Sequence, residues 1–177
     1  MSKTLVGVIL GSDSDLPVMA DAFNVLEEMG IGYEAVICSA HRTPDEAANY
    51  AKSAAGRGLL VIIAAAGGAA HLPGVMAAHS PLPVIGVPVA GGALHGVDAL
   101  YSIVQMPPGV PVACVAVNGA KNAALLAAQI IGAADPAVRD KVEAHKAEMA
   151  RQVKEKNALL AGLGVRGYLE KHLKGRE

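Results

Sequence analysis

The chain reads as an α/β protein, a flavodoxin-like three-layer, doubly wound parallel sheet with a long C-terminal helical arm. Three observations predict this. Short apolar runs alternate with segments of helical spacing up to Ile131, and such alternation implies a parallel sheet with helices on both faces. Five strand-like runs suit an open sheet better than a closed barrel, which needs about eight. A charged amphipathic stretch then follows Pro136, beyond any layer that the core requires. The α/β domain is expected at residues 1–134 and the helical extension at residues 135–177.

Leu5–Leu10 is an unbroken apolar run, as a strand buried on both faces requires. Leu16, Met19, Ala20, Phe23 and Leu26 follow at helical spacing, Pro17 falls in the first turn, and Gly30 supplies the stop. Tyr33–Cys38 is the second strand. Pro44–Ala55 is the second helix, with Ala47, Ala51 and Ala54 on one face and Gly56 behind it. Leu59–Ala64 is the third strand, Ala69–His79 a short helix, and Val84–Val87 the fourth strand. Val97–Gln105 reads as a helix, Val110–Val117 as the fifth strand and Asn122–Ile131 as an Ala/Leu helix. Over 136–163, Val138, Val142, Met149, Val153 and Leu160 recur at intervals of four and seven, with charges between them. This helix is expected to act as an arm on a neighbouring subunit. The tail from Gly162 is expected to form a short helix with a frayed end.

Composition narrows the function. A chain of 177 residues buries a real core without staples. The net charge is −1, there is no Trp, and Phe23 is the single Phe; neither a basic surface nor stacking platforms for nucleic acid are present. Cys38 and Cys114 lie in or at the end of apolar runs and are expected to be buried free thiols in a reducing compartment. With no leader and no membrane-length apolar stretch, a soluble cytoplasmic protein is expected, without nucleic-acid or membrane partners. Yet 53% of residues are hydrophobic and the mean hydropathy is +0.38. That excess points to surface buried between copies, a homo-oligomer.

Three loops carry chemistry. After the first strand comes Gly11-Ser12-Asp13-Ser14-Asp15. Ser and Asp are good helix caps, but hydroxyls and helix N-terminal amides also bind phosphate, and a carboxylate accepts from ribose hydroxyls. The Gly-x-Gly-x-x-Gly fingerprint of dinucleotide sites is missing. After the second strand comes Ser39-Ala40-His41-Arg42-Thr43-Pro44. His41 can move a proton near neutral pH, and Arg42 offers a planar fork of donors to phosphate or carboxylate. After the third strand, Gly67-Gly68-Ala69-Ala70-His71-Leu72 lets a ligand approach the backbone. His71 reads first as a structural or substrate-shaping residue and second as another acid/base. His79, His145 and His172 read as surface residues, and His95 is undecided. A Cys38 nucleophile and a Ser39-His41-Asp45 triad are weak alternatives, since Cys38 ends a buried strand and adjacency is not triad geometry. No metal-ligand spacing stands out.

Read together, these loops resemble the PurE family of purine biosynthesis. So do Ser102-Ile103-Val104-Gln105-Met106-Pro107 and Asn122-Ala123-Ala124-Leu125-Leu126-Ala127, and the five motifs occur in the family's order between about Val6 and Ile131. The resemblance implies an isomerase that moves a carboxylate from N5 of a ribonucleotide to C4 of its imidazole ring. It implies no metal and no organic cofactor, and an octamer with active sites at subunit contacts. It makes His41 the acid/base. Substrate-binding roles would fall to Ser12, Ser14, Asp15, Ser39 and Arg42, and to Gly67, Gly68, Ala69, His71 and Leu72 of the third loop. The chain departs from the family pattern at Ala65, where Gly is usual, and at His95, where Ser is frequent. The segment 118–121 also looks about two residues short, and the tail is long. Two alternatives are a direct CO2-dependent carboxylase of the uncarboxylated ribonucleotide and a non-catalytic flavodoxin-like nucleotide-binding module. The first tends to carry Lys at the position of Arg42 and a different third loop.

Overall fold

The computed structural model describes residues 3–173 and divides the chain into two compact units, which meet at 139/140. The first holds five parallel strands: β1 (Thr4–Leu10), β2 (Gly32–Ile37), β3 (Val61–Gly67), β4 (Val84–Val89) and β5 (Ala113–Cys114). Their spatial order is β2-β1-β3-β4-β5, the doubly wound flavodoxin-like order. Helices α1 (Leu16–Glu28), α2 (Pro44–Ala54), α3 (Leu72–His79), α4 (Val97–Val104) and α5 (Ala120–Gly132) make the crossovers.

The central strands are apolar without alternation because both faces are covered. Val6, Val8, Ile9, Ile62, Ile63 and Ile85 are fully buried. Ile62, Ala64 and Ala66 pack with Ala47, Ala51 and Ala54 of α2, Met76 of α3 and Ile103 of α4. The alternate residues of β3 face the other layer, where α5 lies on β3 and β4 and packs against α1. Ala123, Ala124, Ala127 and Ala128 are fully buried there; small side chains let α5 sit close to the sheet.

Several boundaries differ from the sequence reading, the ends of β3 and β5 most informatively. β3 runs three residues further than Ala64, to Gly67, because Ala65, Ala66 and Gly67 pair with Val87, Pro88 and Val89 of β4. Short side chains there hide a buried strand end. β5 shrinks from the expected eight residues to Ala113–Cys114. It is an edge strand, Pro111 just before it has no N–H to give, and Cys114 is half-buried, not buried; both cysteines are free.

Helix α6 (Pro136–Leu173) extends past the expected end at 163 and breaks at Gly164 (φ 66°, ψ 170°), with residues 165–173 helical beyond it. Val138 and Val142 are buried, whereas Met149, Val153 and Leu160 are exposed. Arg151 ties its own face together through Glu148 and Glu155. His145 is not a plain surface residue, since its Nε2 is sealed from solvent. Residues 174–177 and the side chain of His172 lie outside the described set. Among the described residues no helix is long and apolar enough to cross a membrane.

Candidate active site

Ligands of doubly wound sheets bind beyond the carboxyl ends of the strands, and there the loops after β1, β2, β3 and β4 enclose a cleft of about 750 Å³. The residues read from the sequence as catalytic or substrate-binding all border it: Ser12, Ser14 and Asp15; Ser39, His41 and Arg42; Gly67, Gly68, Ala69, His71 and Leu72.

The β1 loop leaves the sheet with Gly11 N–H bonded to Ala65 C=O at 3.0 Å. A single 3₁₀ turn, Asp13–Asp15, follows. Ser12 caps it and Asp15 reaches back, a reciprocal capping box. This corrects one expectation. The Ser12 N–H donates to Asp15 Oδ2 (3.1 Å), and the Ser14 N–H donates to Ser12 Oγ (3.3 Å) and Asp13 Oδ1 (3.0 Å). Both amides are thus taken and are not open to phosphate. Asp15 is only 6% exposed. Burial pushes its carboxyl above the ordinary value, the Ser12 N–H pulls it back, and Asp13 adds a further upward push.

The β2 loop begins at Cys38, whose N–H donates to Leu10 C=O at 2.8 Å. Thr43 Oγ1 accepts from Ser39 N–H (3.1 Å) and donates to Ser39 C=O (3.0 Å), closing the loop before Pro44 opens α2. Arg42 lies across the cleft, its Nε toward Ser39 Oγ (3.4 Å) and its Nη2 toward Gly11 C=O (3.3 Å). Three of its five N–H donors stay open, and no carboxylate pairs with it among the described residues. A guanidinium held by neutral acceptors is equipped to take an anion.

The β3 loop turns sharply at Gly68, whose φ of +60° suits glycine. Short bonds follow, Ala70 N–H to Gly68 C=O and His71 N–H to Ala69 C=O, each 2.8 Å. They swing His71 to the start of α3. Its side chain makes no cap. Instead His71 Nδ1 lies 2.6 Å from His41 Nε2, the rings edge to face. One imidazole must donate in this contact and the other accept, so the tautomer of one fixes that of the other. His41 Nδ1 has no partner among the described residues and is left to act on a ligand.

A fourth wall was not singled out from the sequence: Val89, Ala90, Gly91 and Gly92 after β4, with Asp98 of α4. A Cβ on Gly67 would come within 3.2 Å of Val89 C=O, so glycine there lets the β3 and β4 ends close up. Asn118, left-handed at φ 57°, donates its N–H to Pro88 C=O and accepts the Ala90 N–H on Oδ1, both at 2.8 Å. Asn tolerates that conformation better than most residues, and its side chain extends the β4 edge beyond β5. Among the described residues no three His, Cys, Asp or Glu side chains gather as a metal site.

Three comparisons bear on this site. A family model described as AIR carboxylase matches residues 5–152. The chain is 56% identical over 167 residues to the N5-carboxyaminoimidazole ribonucleotide mutase of Pyrococcus horikoshii, covering 94% of both proteins. It is 55% identical over 170 residues to the phosphoribosylaminoimidazole carboxylase of Saccharomyces cerevisiae, covering 96% of this chain and 30% of that one. Among solved structures, the crystal structure of Treponema denticola PurE matches with a TM-score of 0.82 at 30% identity, over 89% of this chain and 98% of that one.

Proposed function

The chain belongs to the AIR carboxylase family, and from that premise we propose that it converts N5-carboxyaminoimidazole ribonucleotide to 4-carboxy-5-aminoimidazole ribonucleotide in purine biosynthesis. The observation that carries this reading is the His41–His71 contact of 2.6 Å beside Arg42, which is held by neutral acceptors and meets no carboxylate among the described residues. It puts a proton carrier next to an anion site in one cleft.

In this reading the 5′-phosphate takes the open donors of Arg42 with the Ser14 and Ser39 hydroxyls, and Asp15 accepts from a ribose hydroxyl. His41 delivers a proton to N5 as the N5–carboxylate bond breaks; the bonding pair goes to N5, and CO2 is released beside the neutral aminoimidazole. C4 then attacks CO2 through the ring's enamine electrons. His41 removes the C4 proton and is restored, so each turnover ends with no net proton gained or lost. His71 keeps His41 in the working tautomer. The Gly67–Ala69 backbone, with little side chain to hold water, confines CO2 against the β3 end. No organic cofactor has a part in this scheme. Residues 1–134 hold the whole site, and residues 135–177 serve assembly of a cytoplasmic homo-octamer.

The name of the yeast relative favours a second reading, direct carboxylation of the uncarboxylated ribonucleotide by CO2. An assay of the purified protein separates the two. Turnover of the N5-carboxy compound with chelator present, and without ATP or added bicarbonate, supports the mutase. Product formed only from the uncarboxylated compound at high bicarbonate supports the carboxylase.

A further inference from the structure

Asp98 sits in the first turn of α4, where it makes no capping bond. Its backbone C=O accepts the Ser102 hydroxyl at 2.8 Å, while its side chain sits at the positive end of the α4 dipole. Oδ1 is sealed from solvent and has no hydrogen-bond partner among the described residues. Native proteins keep few buried polar atoms in that state, because each forfeits its hydration. The same residue borders the cleft beside Ala90–Gly92. Torsion χ2 of Asp is broad, so a modest rotation presents the sealed oxygen to a ligand.

Its position selects the donor. In the order β2-β1-β3-β4, β2 and β4, which lead to Arg42 and to α4, are three strand spacings apart, about 14 Å, and the Arg42 guanidinium reaches as far as Gly11 on the β1 loop. The loop after β3, which carries His71, stands between them, and His41 reaches it through the 2.6 Å contact. A ribonucleotide with its phosphate at Arg42 directs its ring past the histidines toward β4. A carboxylate accepts hydrogen bonds only, so what it meets there must be a donor. On an aminoimidazole ring that donor is the exocyclic amine. From the juxtaposition of an orphaned carboxylate with the ring end of the cleft, we propose that Asp98 reads this amine and sets the specificity for aminoimidazole over imidazole ribonucleotides. The inference rests on the nucleotide reading above.

Calorimetry with three ligands tests it: ribose 5-phosphate, aminoimidazole ribonucleotide, and the same nucleotide lacking the amine. The wild type is expected to bind the amino compound about tenfold tighter than its des-amino analogue, since a site with a polar group left unpaired rejects the deficient ligand. In Asp98→Ala that preference should collapse to about twofold or less, with ribose 5-phosphate bound as before. Equal binding of the two ring ligands by the wild type overturns the proposal, whether or not the variant folds. So does a variant that keeps the preference, or one that loses ribose 5-phosphate binding in parallel. A wild type that binds none of the three ligands removes the nucleotide reading itself, a distinct result.

Discussion

At the scale of residues, the proposed reaction asks some groups to hold the substrate and one to react. If Arg42 holds the phosphate as proposed, replacing it by Ala should remove a charge-assisted contact worth about 1.5–3 kcal/mol, so ribose 5-phosphate should bind at least about tenfold more weakly. His41→Asn should leave that affinity within about threefold and lower kcat by about 10²–10⁴, the usual contribution of a positioned acid/base. Calorimetry and turnover on both variants check the division; equal loss of binding would contradict it. Asp15 carries a cost of its own. A buried carboxyl whose pKa is higher in the folded than in the unfolded chain destabilises the fold above the folded pKa. That penalty is relieved as pH falls through the folded value and is gone below the ordinary 3.8. Asp15→Asn keeps an oxygen for the Ser12 N–H and loses the charge. It should melt above the wild type at pH 7, with the gap closing toward about pH 4; a lower melting temperature at pH 7 would contradict this account. The residues read from the sequence as catalytic or substrate-binding border one cleft, because unusual polar residues after three strand-like runs are visible without a structure. The contact between His41 and His71, thirty positions apart, is not, since it depends on the Gly68 turn. Asp98 was hidden because an acid in a helix's first turn has an ordinary explanation, and only the structure shows that its Oδ1 is sealed without a partner among the described residues.

Elements set these positions through close approach. Gly86 lies in β4 beneath α4, where an added Cβ would meet Ile103 Cγ2 at 2.5 Å and Val112 Cγ1 at 3.0 Å. Gly86→Ala should therefore cost about 1–3 kcal/mol by overpacking, read as a lower denaturation midpoint at unchanged slope. An unchanged midpoint would mean that α4 is free to shift. The periodicity of the apolar runs located β1, α1, α2 and α5 to within a few residues, since each buries a continuous stripe or face. It failed at strand ends. β3 continues through Ala65–Gly67 because pairing with β4, not side-chain size, defines it. β5 is curtailed because Val110–Val117 is apolar enough for a strand while Pro111 and an edge position limit its ladder. The Asn118 side chain supplies the acceptor that the missing ladder would have given Ala90.

For the whole molecule, the apolar excess seen in the sequence reappears as exposed side chains. On the α/β unit, Ile37, Leu94, Val97, Tyr101 and Val104 are uncovered, Tyr101 to 60%. On α6, Met149, Val153, Leu163, Val165 and Leu169 are uncovered, Val153 to 64%. Patches of this kind mark interfaces. Light scattering at micromolar concentration should therefore find a stable homo-oligomer, and removing residues after Pro136 should lower its order. A monomeric full-length chain would contradict this expectation, and an unchanged oligomer after truncation would take the arm out of assembly. The central claim is that the carboxylate travels from N5 to C4 within one cleft, and carbon tracing tests it most directly. N5-carboxyaminoimidazole ribonucleotide labelled with ¹³C in the carboxylate is turned over in unlabelled bicarbonate, and the product is weighed by mass spectrometry. The account predicts that the C4 carboxylate keeps most of the label in the wild type and that His41→Asn forms no product. Unlabelled product from the wild type, formed at the rate of bicarbonate supply, would contradict it.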